Sequence, residues 1–307
     1  MSRPVEVSEV SKWYGQVVAV NGMSLGLEPG VTGLLGPNGA GKSTLMKMLT
    51  GQIRPSRGRV ELLGHVPWND PDLNRRVGYC PEQDTFYEWM TGRRFVTALL
   101  GLAGFERAEA RRRAEAALAE VGMTEVGDKK IGGYSKGMRQ RIKLAQAIAH
   151  DPEVLILDEP VSGLDPVGRR HIIDLVRKWG AQGRTILVST HILHEVEAMT
   201  SAVLLIHHGR LLAEGDVHEI RDLIDEHPRL ITMVTPDPRA LAARLLTEQD
   251  VVSVRFERGS RSITAETVRP DEFYRRLPAL VLQEGVEIEE MSSPDDNLQA
   301  VFDYLVR

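Results

Sequence analysis

The sequence of 307 residues contains one cysteine, Cys80, which excludes an internal disulfide and is compatible with a reducing compartment. No uncharged apolar run reaches the roughly 18 residues that span a bilayer, and MSRPVEVSEV at the start has no apolar core of signal-peptide length. The formal net charge is −5, and no long Lys/Arg cluster stands out. We therefore expect a cytoplasmic chain that does not bind nucleic acid and that reaches a membrane only through a partner.

The most informative stretch is GPNGAGKST at residues 36–44, which matches the phosphate-loop pattern G-x-x-x-x-G-K-[ST]. The apolar run before it predicts a buried strand and the run after it predicts a helix, which is the context that this motif requires. Glycines let the backbone N–H groups turn toward a phosphate chain, and the helix N-terminus adds partial positive charge. Lys42 can reach the β- and γ-phosphates, Ser43 can ligate Mg²⁺, and Thr44 can bond the α-phosphate. The predicted nucleotide-binding residues are Gly36, Pro37, Asn38, Gly39, Ala40, Gly41, Lys42, Ser43 and Thr44.

Further polar residues follow other predicted strands. EVLILDEP reads as a buried strand that ends in Asp158 and Glu159, and RTILVSTH reads as another that ends in His191. Because α/β folds bind ligands at the carboxyl ends of their strands, we expect these side chains at the sheet edge that holds the phosphate loop. Asp158 suits a Mg²⁺ shell, Glu159 suits orienting or deprotonating a water, and His191 suits a γ-phosphate contact. Gln83 follows a shorter strand and could also point toward the phosphates.

Four large apolar side chains lie within five positions of one another, at Phe86, Tyr87, Trp89 and Met90. They could form a local hydrophobic cluster beneath a loop. They could equally form an apolar docking patch, since aromatic residues and Met are enriched in the cores of protein interfaces. The sequence favours neither interpretation.

Two further regions of the first two thirds of the chain have distinct sequence patterns. Residues 5–35 alternate short apolar runs with turn signals, which predicts a small antiparallel sheet leading into the phosphate-loop strand. Helical periodicity predicts a helical subdomain over about residues 88–150. Within it, Ser135 precedes a strongly helical run and is a candidate N-cap, and Gly137 would allow close approach of a backbone or a phosphate.

The pattern of predicted strands and helices changes at about residue 226. EHPR reads as a linker, and the elements after it follow the order β-α-β-β-α-β plus a final helix, PDDNLQAVFDYLV. That order is compatible with a small ferredoxin-like α+β domain. We therefore expect two domains, residues 1–225 and 226–307. Regulation, dimer support and plain stability are open roles for the second domain, and stability is the default.

The ordered set of Tyr14, GPNGAGKST, Gln83, YSKGM, LILDEP, SGLDP and His191 resembles the nucleotide-binding subunit of ATP-binding cassette (ABC) transporters over about residues 5–225. The resemblance implies an α/β fold, a P-loop NTPase core of ABC type with antiparallel β and helical subdomains, which hydrolyses ATP with Mg²⁺. It implies that Tyr14 stacks on adenine, where the residue pattern alone also allows a core position. It further implies that Gln83 senses Mg²⁺ and the attacking water, that Glu159 is the catalytic carboxylate and that His191 holds the γ-phosphate.

In this family two cassettes pair head to tail, so the resemblance implies that Ser135 and Gly137 touch the ATP of the other protomer and that Asp165 communicates across the dimer. The signature departs from the usual LSGGQ, because Lys136 and Met138 stand where the family has Gly and Gln. The YSKGM signature and the extra C-terminal domain are most similar to the ATPases of ABC-2 type exporters.

That similarity implies a homodimer or a paired ABC subunit, attached to an integral membrane permease at the inner face of the membrane. Two alternatives remain for the function. One is a soluble ABC-type ATPase that is not coupled to transport, and the other is a nucleotide-dependent switch with little turnover.

Overall fold

The structure is a computed structural model that describes residues 3–217, 229–257, 261–284 and 287–293. The chain forms two compact units, Met1–Gly215 and Asp216–Arg307. The strands of the first unit are β1 (Val5–Tyr14), β2 (Val17–Leu27), β3 (Gly30–Leu35), β4 (Arg57–Leu62), β5 (Val77–Cys80), β6 (Val154–Asp158), β7 (Thr185–Thr190), β8 (Ala202–His207) and β9 (Arg210–Asp216). Its helices are α1 (Lys42–Leu49), α2 (Pro71–Asn74), α3 (Gly92–Leu102), α4 (Arg107–Glu120), α5 (Lys136–Ile148), α6 (Pro166–Ala181) and α7 (Leu193–Glu197).

A six-stranded sheet in the order β5-β6-β7-β3-β8-β9 forms the centre of the first unit. Strand β3 pairs in parallel with β7 and β8, and β6 pairs in parallel with β5 and β7. Every residue of β6 and β7 is buried, as expected of apolar parallel strands that are covered on both faces. The parallel pairing brings the carboxyl ends of β3, β5, β6 and β7 to one edge. The phosphate loop, Gln83, the acidic pair and His191 follow these ends.

The predicted antiparallel sheet is confirmed as a three-stranded sheet in the order β2-β1-β4. Val5 is paired with Leu27 on one side and with Leu62 on the other. The buried face of this sheet packs with residues of α1, including Leu45 and Met46, in one apolar cluster. This sheet therefore covers the helix that begins at the phosphate loop.

Helices α3, α4 and α5 make up a helical region between β5 and β6. Their buried faces meet in one apolar cluster that includes Phe95, Val96, Leu118 and Ile142. Small residues such as Ala114 line the buried face of α4, which allows the helices to approach closely. Cys80, at the end of β5, is fully buried in the same cluster, as expected for a packed strand residue.

In its described residues, the second unit contains β10 (Arg229–Val234), α8 (Pro238–Leu245), β11 (Val251–Phe256), β12 (Ser262–Thr267), α9 (Pro270–Glu284) and β13 (Glu290–Ser292). Its antiparallel sheet has the order β11-β12-β10-β13. Both helices contribute buried residues, among them Leu241 and Phe273, to the core over this sheet. The predicted final helix PDDNLQAVFDYLV and most of the EHPR linker lie outside the described residues.

In the described ranges, every helix is too short or too polar to cross a bilayer.

Candidate functional site

The loop between β3 and α1 has the backbone that a phosphate loop needs. Gly41 is the N-cap of α1 and has φ 105°, in the left-handed region that other residues rarely adopt. A Cβ at Gly41 would lie 2.5 Å from the carbonyl oxygen of Ala19, and a Cβ at Gly36 would lie 2.5 Å from that of Ile206. Glycine is therefore required at both positions by the packing of the loop against neighbouring backbone.

Lys42 opens α1 and is 7% exposed. Its ammonium donates hydrogen bonds to the carbonyl oxygens of Gly36 at 2.5 Å and Pro37 at 3.1 Å, within the loop itself. Burial lowers the pKa of Lys42, while the negative charges of Glu159, Asp158 and Glu82 oppose that shift. The loop thus holds a buried cation that faces carboxylates from two strand ends.

Asp158 and Glu159 are positioned by one hydroxyl on the neighbouring strand. Asp158 is the last residue of β6, is 2% exposed, and accepts a short hydrogen bond from Ser189 Oγ of β7. The same Oγ accepts a hydrogen bond of 3.1 Å from the backbone N–H of Glu159. Glu159 has φ 51°, and such a left-handed conformation costs a non-glycine residue about 1–3 kcal/mol. The bonds from β7 help to hold Glu159 in that conformation.

Glu159 and His191 form a direct pair, since His191 Nδ1 lies 2.8 Å from Glu159 Oε1. Burial raises the pKa of Glu159, the hydrogen bond and charge of His191 and the charge of Lys42 lower it, and the charge of Glu195 raises it. The net direction is upward. A carboxylate with a raised pKa is a stronger proton acceptor, so this group suits general-base chemistry near neutral pH.

A cleft of about 490 Å³ lies over the loop and the acidic pair. It is lined by Tyr14, Ala19, Asn38, Gly39, Gly41, Lys42, Ser43, Thr44, Glu82, Asp158 and Glu159. The structure thus brings the loop and the two carboxylates together, as the sequence predicts. In the described part of the chain, Gln83 and His191 are not among the lining residues, although His191 contacts Glu159 directly.

The polar residue that faces the cleft after β5 is Glu82 and not Gln83. Sequence reasoning missed Glu82, because several polar residues in a row follow this short strand and the turn has no alternation to rank them. The position of the segment is fixed from α5, where Lys143 Nζ donates to the Glu82 carbonyl oxygen at 2.6 Å.

Tyr14 lies at the end of β1, is 48% exposed and lines the cleft, so its alternative as a core residue does not hold. The ammonium of Lys12 lies 5.4 Å from the centre of its ring. An aromatic face at the mouth of a phosphate-binding cleft can stack on a nucleotide base.

Ser135 and Asp165 are both helix N-caps. Ser135 Oγ and Asp165 Oδ1 each accept a hydrogen bond from the backbone N–H three residues later, at 3.2 and 2.7 Å, at the starts of α5 and α6. A Cβ at Gly137 would lie 3.4 Å from Leu164 Cδ2, so the start of α5 faces the segment before α6. Within the residues described, none of the three predicted residues lines the cleft.

Gln140 of α5 is a second residue that sequence reasoning missed. Its buried amide donates hydrogen bonds to the carbonyl oxygens of Pro160 at 2.9 Å and Glu159 at 3.3 Å. It therefore ties the helix that begins at Ser135 to the segment that carries Glu159. No short motif could reveal this bond, since it joins residues that are far apart along the chain.

The apolar residues at positions 86–90 fit both interpretations, the hydrophobic cluster and the docking patch, each in part. Met90 is buried, and the ring of Phe86 packs edge-on against Phe95 at 5.4 Å. Tyr87 and Trp89 are 61% and 62% exposed, and their ring centroids lie 6.2 Å apart. Half of the stretch is core, and the other half is an exposed aromatic pair.

Comparison with known proteins identifies relatives for most of the chain. The family model described as "ABC transporter" matches residues 20–162. The daunorubicin/doxorubicin resistance ATP-binding protein DrrA of Streptomyces peucetius is 32% identical over 303 residues, which is 98% of this chain and 92% of DrrA. The uncharacterized ABC transporter ATP-binding protein YxlF of Bacillus subtilis (strain 168) is 39% identical over 71% of this chain and 72% of YxlF. The Nod factor export ATP-binding protein I of Burkholderia orbicola (strain AU 1054) is 38% identical over 79% and 80%.

Solved structures resemble the fold as well. The structure of an ATP-binding subunit of an ABC transporter has a TM-score of 0.65 and 30% identity, over 71% of this chain and 92% of that one. The dimeric structure of MJ0796, a bacterial ABC transporter cassette, also has a TM-score of 0.65, at 22% identity over 69% and 98%. The second likeness shows the fold alone.

Proposed function

Because the chain belongs to the family of ABC transporter ATP-binding subunits, we propose that it hydrolyses ATP to drive export through a separate membrane-spanning permease. The observation that carries the proposal is the cleft in which Lys42, Asp158 and Glu159 meet over a phosphate loop, with His191 bonded to Glu159. These are the groups that phosphoryl transfer to water needs: a phosphate cradle, a metal-facing acid and a base.

ATP binds in this proposal with its phosphates in the loop of residues 36–44 and its adenine on Tyr14. The half-exposed ring of Tyr14 at the cleft supports the stacking role. Lys42 supplies charge to the β- and γ-phosphates, and Thr44 supplies a hydroxyl to the α-phosphate. Backbone N–H groups of the loop give the remaining phosphate contacts.

The donor set beside the phosphate loop fits Mg²⁺. The Ser43 hydroxyl and the Asp158 carboxylate line the same cleft, and Mg²⁺ is bound by one or two such oxygen donors together with phosphates and water. Bound there, Mg²⁺ would neutralise charge on the phosphates. Gln83 is the proposed sensor of Mg²⁺ and of the attacking water, and Glu82, which lines the cleft, is a further candidate for that role.

Glu159 is the general base of the proposed reaction. Its burial and raised pKa suit it to accept a proton from the attacking water. His191 has two roles in this proposal. Its Nδ1 lies 2.8 Å from Glu159 Oε1 and holds that carboxylate, and its imidazole would contact the γ-phosphate. The Ser189 hydroxyl holds the carboxylate of Asp158 and the backbone N–H of Glu159 in place.

Ser135, Gly137 and Asp165 act at the nucleotide that a second cassette holds. Ser135 and Asp165 are helix N-caps, and Gly137 lies in the first turn of α5. In the described residues, none of the three lines the cleft that holds Lys42, which supports a role at the nucleotide of the other protomer. The partner is a second copy of this chain or a paired ABC subunit. Closing of the two around ATP and reopening after hydrolysis would move the permease.

The exposed pair of Tyr87 and Trp89 is the surface that we assign to the permease, because exposed aromatics suit an interface core. The chain then lies at the inner face of the membrane through that partner. Export as the direction is supported by the names of two relatives, a drug resistance protein and a Nod factor export protein.

We propose a division into residues 1–225, the ATPase, and 226–307, a ferredoxin-like accessory domain. The order β-α-β-β-α-β and the sheet order β11-β12-β10-β13 support the second assignment. The accessory domain contributes stability by default.

The test is Mg²⁺-dependent ATP hydrolysis by the purified full chain. Glu159→Gln keeps the size of the side chain and removes the base, so turnover should fall about 10²-fold or more while ATP binding is retained. Glu153→Gln is the matched control, because Glu153 stands just before β6 at the opposite end of the strand, in an exposed pair with Arg76. Normal hydrolysis by the Glu159 variant would refute the assignment of the base.

A further inference from the structure

The hydroxyl of Thr190 holds the backbone around His191. Thr190 is the last residue of β7, and its Oγ1 accepts a hydrogen bond of 3.1 Å from the backbone N–H of Ile192. The same Oγ1 donates to Glu195 Oε2 at 2.8 Å. The residues on both sides of His191 are therefore tied through one hydroxyl to Glu195 of α7.

Glu195 is a buried carboxylate with a cation opposite it. It is 3% exposed, and Arg169 Nη1 of α6 lies 3.6 Å from its Oε1. A buried carboxylate is costly unless it is paired and hydrogen-bonded, so Thr190 and Arg169 together keep it stable. An apolar side chain at this position would need neither a paired cation nor a hydrogen-bond donor.

Arg169 brings α6 into this arrangement. It lies four residues after Asp165, the N-cap of α6, and in the described part of the chain its Nε is buried without a hydrogen-bond partner. Buried donors are nearly always bonded, so a buried donor without a partner needs an explanation. A small shift of α6 could give it one.

We propose that Glu195 and Arg169 are a positioning pair, which orients His191 against Glu159 according to the position of the segment that ends in Asp165. The inference rests on the proposed ATP hydrolysis and adds a route for its control. When a second cassette contacts Asp165, α6 moves the guanidinium, the guanidinium moves Glu195, and Thr190 passes the change to the backbone of His191. Among the described residues, neither Glu195 nor Arg169 lines the cleft.

The first experiment measures steady-state ATP hydrolysis by the full chain with Glu195→Gln, Arg169→Gln and both together. We expect each single variant to lower kcat roughly tenfold with little change in KM, since misplacing a catalytic group by less than an ångström has effects of this order. The double variant should be no slower than the slower single variant, because the two residues act as one unit.

The matched control is the pair Arg170 and Asp174, the next residue along α6 and its exposed i,i+4 partner at 3.4 Å. Arg170→Gln and Asp174→Asn remove an ion pair of the same helix and should leave kcat unchanged. The Tm of every variant is measured together with its kinetics. If a Gln variant unfolds early, its kcat is measured below its unfolding temperature, and Glu195→Asp or Arg169→Lys, which keep the charges, should recover much of the lost kcat.

The split between kcat and KM separates positioning from a purely structural role. A variant that only lowers stability changes Tm and leaves kcat per folded molecule unchanged, whereas a positioning variant lowers kcat at an unchanged KM.

The outcomes distinguish this inference from the proposed function. If the wild-type chain hydrolyses ATP and the Glu195 and Arg169 variants match it, or if their losses add in the double variant, the positioning pair is refuted and the ATPase stands. If the wild-type chain does not hydrolyse ATP, the proposed function fails and the positioning pair fails with it.

Discussion

Ser189 offers a sharp test of how the acidic pair is held. One hydroxyl donates to the Asp158 carboxylate and accepts from the backbone N–H of Glu159, both in buried surroundings. Ser189→Ala removes both bonds without adding bulk. Glu159 N–H keeps a bond of 3.2 Å to the Ser189 carbonyl oxygen, so the main loss falls on the carboxylate of Asp158.

The size of the effect follows from these partners. A hydrogen bond to a charged group contributes about 1.5–3 kcal/mol, and leaving a buried polar group unpaired adds to the loss. We expect Ser189→Ala to destabilise the first unit by about 2–3 kcal/mol, which for a unit of this size lowers Tm by roughly 5–10 °C. Turnover should also fall roughly tenfold, because Asp158 and Glu159 lose their common support.

Ser24→Ala is a matched control for this experiment. Ser24 Oγ makes the same two kinds of bond with one residue, donating to Glu9 Oε1 at 3.1 Å and accepting from Glu9 N at 2.9 Å, but in exposed surroundings. Its loss should cost less than about 0.5 kcal/mol. Calorimetry and ATP hydrolysis measure both variants. Equal melting temperatures and equal turnover for the two would refute the view that Ser189 organises the acidic pair.

Three further predictions concern the cleft. Tyr14→Ala should raise the KM for ATP roughly tenfold with little change in kcat, because stacking of a base on an aromatic ring is worth about 1–3 kcal/mol; an unchanged KM in an ATP titration would remove the stacking role. Glu82→Ala should lower turnover roughly tenfold and Gln83→Ala much less, since only Glu82 lines the cleft; the reverse order in the same assay would restore Gln83. His191→Ala should move the acid limb of kcat/KM to higher pH, because the bond and charge of His191 lower the pKa of Glu159; a pH–rate profile with an unmoved limb would contradict the pairing.

Local patterns were sufficient for much of this fold. The apolar runs before GPNGAGKST and before Asp158 predict buried strands, and β3 and β6 lie there. Both runs are short and predominantly apolar, and each is followed by glycine or by acidic residues, so the hydrophobic pattern and the strand-end signals agree. Strand ends of a parallel sheet meet at one edge, which is why the phosphate loop and the acidic pair were predicted together.

Contacts that depend on strand order or on distant pairing were not predictable. Ser189 supports Asp158 because β7 lies next to β6, and no motif states which strands are neighbours. Gln140 bonds to the Glu159 segment for the same reason, since packing of α5 on the sheet is decided by tertiary contacts. The choice between Glu82 and its neighbour depends on a turn whose geometry is fixed from α5.

The central claim is that this chain is the ATPase of a membrane transporter. The most direct measurement is a pull-down of tagged Glu159→Gln protein from detergent-solubilised membranes with ATP and Mg²⁺, with partners identified by mass spectrometry. The substitution slows hydrolysis and so should prolong the closed, ATP-bound state with its partners attached. Recovery of a multi-spanning membrane protein without an ATPase domain of its own is the expected result. Recovery of soluble complexes, or of no membrane protein, would contradict the claim and favour an ABC-type ATPase or switch that is not coupled to transport.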